Sequence, residues 1–156
     1  MEVIRFIENI SKSDCRNGIH YDPGPNSMLI QISDPPGDYP TPKFKFKEIH
    51  QFDFLDEDRP EEEFVITDEQ AKRLVDLLAR AYDNHMNVVV HCHAGICRSG
   101  AVVEVASRVG FTPTDRYRLP NVLVKHKMLK VLGLTYDSIP DEMTGAELAR
   151  MWFDGI

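Results

Sequence analysis

The stretch Asn87–Ser107 constrains this chain more than any other. Asn87-Val88-Val89-Val90 reads as a buried β-strand, and Gly100-Ala101-Val102-Val103-Glu104-Val105-Ala106-Ser107 reads as a helix. Between them lies a short loop, His91-Cys92-His93-Ala94-Gly95-Ile96-Cys97-Arg98-Ser99. Strand, tight loop and helix in this order aim backbone N–H groups and a helix N-terminus at an anion. The expected fold is therefore α/β: a central, mostly parallel sheet flanked by helices. A phosphate-binding loop would join a strand at about 87–91 to a helix at about 99–109. A thiol at the start of the loop and a guanidinium at its end point to covalent phosphoryl transfer through a phosphocysteine.

The 156 residues suit one domain, taken as 1–156, and 42% hydrophobic residues suffice for a core. The net charge of −7, from 25 acidic against 18 basic residues, argues against a nucleic-acid or anionic-membrane binder. It leaves room for a small basic pocket. Three cysteines are an odd number and too few for a disulfide scaffold. Met1–Glu8 lacks the apolar run of a signal peptide, and no stretch reaches the length of a membrane span. The expected compartment is a reducing cytoplasm, where a free thiolate survives.

Along the chain, Met1–Ile10 fits a strand or a helix equally well, and the turn-rich Ser11–Ser27 reads as a loop. Met28–Ile32 reads as a strand, and Asp34–Pro42, with four prolines, as a rigid loop. Glu48–Leu55 reads as a strand, and the acidic run Asp56–Glu63 as a loop. Thr67 and Gln70 form a capping box for a helix with a core stripe of Ala71, Leu74, Val75, Leu78 and Tyr82. Gly110 ends the helix that follows the cysteine loop. Asn121 caps another helix running to about Leu132, and Thr144 with Glu147 caps a last one ending near Phe153.

A free thiol has a pKa of about 8.5, so Cys92 needs nearby positive potential to act as a thiolate. The N–H groups from His93 through Ala94, Gly95, Ile96 and Cys97 to Arg98 would supply it, and the same donors would bind phosphate. Arg98 can grip two phosphate oxygens with its planar fork. In a loose phosphoryl transition state the charge spreads over three equatorial oxygens, which fixed donors stabilise without a metal. Gly95 permits the tight turn. Ser99 is placed to hydrogen-bond the Cys92 sulfur, and His91 to organise the loop. No metal or other cofactor is expected, since His91, Cys92 and His93 occupy adjacent positions that rarely converge on one ion.

His91-Cys92-x5-Arg98-Ser99 is similar to the signature of the protein tyrosine phosphatases, and the chain resembles their small dual-specificity branch. The cysteine sits mid-chain after a helix and a strand. Candidate acids lie upstream, and Pro120-Asn121-x-x-Val124 is similar to the Asn-x-x-Phe-type segment that follows the signature there. The resemblance implies a cytoplasmic phosphatase acting on phosphotyrosine, and on phosphoserine and phosphothreonine, in phosphorylated proteins or peptides. It also implies an Asp general acid on a loop after an upstream strand, which later activates water. Of the candidates, Asp56 falls where strand gives way to loop and ranks first, ahead of Asp53 and Asp58. Asp53 would face away from the core side taken by Phe52 and Phe54, and Asp68 suits the first turn of its helix.

Cys97 is either a small loop filler or a redox partner of Cys92, whose disulfide would shield the nucleophile from over-oxidation. The Cys-x4-Cys-Arg-Ser spacing also looks like the low-molecular-weight tyrosine phosphatases, where Asp137 or Asp141 would be the acid. Chain order favours the dual-specificity pattern. His93 sits at the loop rim, and Cys15 falls in a polar loop. Lys43, Lys45 and Lys47 suggest a protected edge strand or a basic docking patch. Lys125, Lys127 and Lys130 suggest a solvated helix face. The competing functions are an RNA 5′-phosphatase, an arsenate reductase-like activity and a catalytically silent phospho-binding module.

Overall fold

The computed structural model describes residues 5–134. Asp137, Asp141 and the helix capped by Thr144 and Glu147 lie outside them. The elements run β1 (Phe6–Ile10), α1 (Lys12–Asn17), β2 (Ser27–Ser33), β3 (Glu48–Asp53), α2 (Asp68–Asp83), β4 (Asn87–His91), α3 (Arg98–Val109), β5 (Thr112–Pro113) and α4 (Val122–Val131). The strands form one sheet in the order β3-β2-β4-β1-β5, and every pairing is parallel. Parallel strands share a direction, so the chain leaves β1, β2, β3 and β4 at the same edge of the sheet. In open α/β sheets that edge is where ligands sit.

Alternation along the strands divides the core in two. Ile7, Met28, Ile30, Ile32, Phe52, Val88 and Val90 face α2, α3 and α4. Leu29 and Val89 face the other way, joining Ile10, Cys15 and Phe46 in a smaller cluster. Helix α2 buries Ala71, Leu74, Val75, Leu77, Leu78 and Ala81, and both halves of its Thr67–Gln70 capping box are formed. Leu77 and Ala81 widen the stripe beyond the spacing read from the sequence, because strands and two further helices surround this face. Among the described residues no helix is long and apolar enough to cross a membrane.

Several local expectations change. Of the stretch that fits a strand or a helix equally well, Phe6–Ile10 forms a strand that pairs with β4, and residues 1–4 lie outside the described residues. Ser11–Ser27 is not all loop. Ser11 caps Lys12–Asn17 by accepting from Asp14 N, and Gly18 closes the helix at φ 70°. Cys15 is accordingly buried on the inner face of α1 rather than set in a polar loop. Residues 43–47 precede the edge strand rather than forming it. Lys43 N donates to the Cys15 carbonyl at 3.2 Å and Lys47 N to the Ser27 carbonyl at 3.0 Å. Phe44 and Phe46 pack toward His20, while the three lysines stay exposed. Lys125 leaves the solvated face assigned to it. It is 2% exposed, since it stands four residues after Asn121 and three before Met128, on the buried stripe of α4. Burial pushes its pKa down to about 8.

Candidate functional site

The loop after β4 is tied down through its carbonyls. The His93 carbonyl accepts from Lys12 N at 3.1 Å, the Ile96 carbonyl from Leu119 N at 3.1 Å, and the Cys97 carbonyl from Ala101 N at 3.0 Å and Asn121 N at 2.9 Å. Buried Asn9, near the end of β1, donates Nδ2–H to the Gly95 carbonyl at 2.8 Å. The amides behave oppositely. Among the described residues, the N–H groups of His93, Ala94, Gly95, Ile96 and Cys97 find no protein acceptor. A loop whose His93, Gly95, Ile96 and Cys97 carbonyls are occupied while its N–H groups are free presents a concentrated positive face.

Gly95 makes the loop possible. Its φ is +75°, and a Cβ there would lie 2.2 Å from the Ile10 carbonyl carbon and 2.4 Å from Ser11 N. Those are backbone atoms at the β1–α1 junction, so the loop and the end of β1 can approach this closely only with glycine.

Cys92 is buried at the end of β4, with its Sγ 3.2 Å from the Ser99 hydroxyl on the first turn of α3. His91 alternates to the opposite face of the sheet and is fully buried. Its Nδ1 donates to the Cys92 carbonyl at 3.2 Å, which assigns the proton to Nδ1 because a carbonyl can only accept. Burial above all, with help from the Lys12 and Arg98 charges, pushes its pKa down to about 4. A neutral, enclosed imidazole orients the peptide and exchanges no proton near neutral pH.

Arg98 is 4% exposed and is gripped at one nitrogen. Its Nη1 donates to the Asp34 carboxylate at 2.7 Å and to the Phe54 carbonyl at 2.7 Å. Its buried Nε has no hydrogen-bond partner. Cys92, His93, Ala94, Cys97 and Arg98 share a cleft of about 490 Å³ with Asp34, Leu55, Asp56 and Glu57. His93 and Asp34 also border a second cavity of about 310 Å³, lined further by Lys12, Pro35, Pro36 and Asp38.

The acid candidates separate in space. Asp56 is the one in the cysteine cleft, where its carboxylate accepts from Asn121 Nδ2 at 2.7 Å. Asp58 lines a different cavity with Val122 and His126. Asp53 ends β3 half-buried between Phe52 and Phe54 and does not border the cleft. Asp68 pairs with Lys127 at 2.7 Å beside the N-terminus of α2. Cys97 lines the same cleft as Cys92. Its thiol pKa is raised, chiefly by burial and then by the Asp56 carboxylate and Cys92.

Two residues at this edge escaped the sequence reading. Asp34 belongs to the stretch that reads as a rigid proline-rich loop, and the structure places it directly after Ser33, the last residue of β2, beside the cysteine cleft. Asn121 is marked by the sequence as a helix cap alone. It does accept from Val124 N at 3.0 Å, but its Nδ2 also donates to Asp56 and to the Glu57 carbonyl at 3.1 Å. With its own N–H on Cys97, this one side chain and its peptide join the cysteine loop, the acidic loop and α4. No protein-family model matches the chain, and no curated protein matches it.

Proposed function

We propose that the protein is a cysteine-dependent phosphomonoesterase that hydrolyses phosphotyrosine, with phosphoserine and phosphothreonine as further substrates. One observation carries this. Among the described residues, the loop between Cys92 and Arg98 leaves five consecutive N–H groups and the buried Arg98 Nε without acceptors, and its His93, Ala94, Cys97 and Arg98 border a cleft that holds a thiol and a carboxylate. So many unpaired donors gathered in one loop, with the buried Arg98 Nε beside them, make a positive site that an anion completes. A phosphoryl group has the charge, size and oxygen count to do so. The likeness of His91–Ser99 to the tyrosine phosphatase signature points the same way.

In this mechanism the Cys92 thiolate attacks phosphorus in line with the departing ester oxygen. The loop N–H groups and Arg98 hold the three equatorial oxygens as charge gathers on them. Asp56 gives its proton to the leaving oxygen, then takes one from the water that attacks the phosphocysteine. Ser99, 3.2 Å from Sγ, stabilises the sulfur as the thiolate leaves. His91 holds the peptide at Cys92.

The test is turnover of para-nitrophenyl phosphate and of a phosphotyrosine peptide by wild type and Cys92→Ser. Turnover by wild type, abolished in the variant, is expected. Phosphate binding without turnover by wild type would instead make this a silent phospho-binding module. Undiminished turnover by Cys92→Ser would rule out the thiol mechanism.

A further inference from the structure

Asp34 has no part in the chemistry above, yet it makes the closest charged contact to Arg98. Its side chain is 62% exposed, while that of Arg98 is 5% exposed. An exposed carboxylate adds little stability through an ion pair, so the contact needs another explanation.

A guanidinium has five N–H donors in one plane. Two belong to Nη1, and here both are used, one by Asp34 Oδ1 and one by the Phe54 carbonyl, each at 2.7 Å. The two acceptors follow neighbouring strands. Ser33 of β2 pairs with Asp53 of β3, and each acceptor is the next residue in its chain. Two bonds from two strands fix both the position of Nη1 and the plane of the group. Of the three remaining donors, Nε–H and one Nη2–H form the Nε–Nη2 edge, where Nε is buried and unpartnered. A phosphoryl group binding that edge side-on leaves Nη1 undisturbed.

Asp34 is itself held in place. Its carbonyl accepts from Gly37 N at 2.8 Å and from the Ser33 hydroxyl at 3.1 Å, and that hydroxyl accepts from Asp38 N at 3.0 Å. The turn is closed by its own bonds, and Asp34 borders both the cysteine cleft and the second cavity.

We infer that Asp34 is a positioning residue: it acts through Arg98, holding Nη1 so that the Nε–Nη2 edge is presented to the phosphoryl group. This rests on the phosphoryl-transfer reading of the cleft.

The experiment compares Asp34→Ala and Asp34→Asn with wild type in the full chain. It reads kcat and KM for para-nitrophenyl phosphate, competitive inhibition by inorganic phosphate, and the melting midpoint. Asp34→Ala is expected to raise the phosphate inhibition constant and lower kcat/KM, each roughly 10- to 100-fold, the scale of one charge-assisted hydrogen bond. The melting midpoint should hardly move. Asp34→Asn keeps an acceptor at Oδ1 and should recover most of the loss, which a purely electrostatic role would not allow. If the alanine variant does not fold, Asp34→Ser makes the same comparison with the same expectation. Unchanged phosphate inhibition in the truncated variant overturns the positioning role and leaves the phosphatase reading standing. Tighter inhibition also overturns it, by showing that the carboxylate competes with phosphate for Arg98. A wild type that neither turns over nor binds phosphate overturns both.

Discussion

Two loops meet at the carboxyl edge of the sheet, and they are built by opposite rules. The cysteine loop, residues 92–98, is held at carbonyl after carbonyl, and its glycine presses on the backbone of β1. The acidic loop that follows β3 carries exposed Asp56, Asp58 and Glu61 and is pinned at few points. One pin is Leu55 N on the Phe64 carbonyl at 2.8 Å, and another is the Asn121 side chain on Asp56 and Glu57. The difference fits a division of labour. A cradle for a developing charge works best when its dipoles are fixed in advance. A group that delivers a proton to leaving oxygens of different shape, and then activates water, benefits from a looser tether.

The comparison can be broken most forcefully at Gly95. Gly95→Ala forces a Cβ onto the Ile10 backbone at a positive φ, so it should destabilise the fold by ~3 kcal/mol or more. Denaturant unfolding measures this. A variant as stable as wild type would mean that the cysteine loop is not the rigid member of the pair.

Next in size is Asp56→Asn, which should lower kcat by roughly 100-fold or more on an alkyl phosphate. The loss should be much smaller on para-nitrophenyl phosphate, whose leaving group hardly needs a proton. The basic limb of the pH–rate profile should disappear, and its survival would return the acid to Asp53 or Asp58. Asn121→Ser keeps a good helix cap but removes both bonds to the acidic loop. It should reproduce the same leaving-group pattern at about 5- to 10-fold, the scale of neutral hydrogen bonds. Equal losses on both substrates would make Asn121 a support for the fold alone.

A separate effect, on stability rather than on rate, concerns His91. Its folded pKa, about 4, lies below the ordinary value of 6.5, so the unfolded chain binds the proton more readily. Stability is therefore full above about pH 6.5 and is lost as pH falls toward about 4. His91→Asn should flatten melting midpoints across that window. An unchanged slope would mean that the ring is not enclosed as described.

What could be read from the chain follows the same division. The cysteine loop announces itself because its thiol, glycine, guanidinium and flanking elements are contiguous in sequence. The Thr67–Gln70 capping box and the Asn121 cap are legible for the same reason, since their partners lie three residues apart. Asp34 and the second role of Asn121 are not, because each meets its partner 64 or 65 residues away. Helix α1 was missed despite its Ser11 cap and Gly18 stop, because six residues carry too little periodicity to outweigh the turn-rich sequence after them. Lys125 is not legible either, because its charge suggests solvent while its position falls on the buried stripe of α4.

The most direct measurement is of the covalent intermediate. Wild type and Asp56→Asn would be quenched in acid during turnover of para-nitrophenyl phosphate, and the intact protein and its peptides weighed. One phosphoryl group on the peptide carrying Cys92 is expected, accumulating further in Asp56→Asn, where hydrolysis of the intermediate is slowed. Turnover with no phosphoryl group on Cys92 in either protein would contradict the nucleophile and, with it, the reading of the cleft.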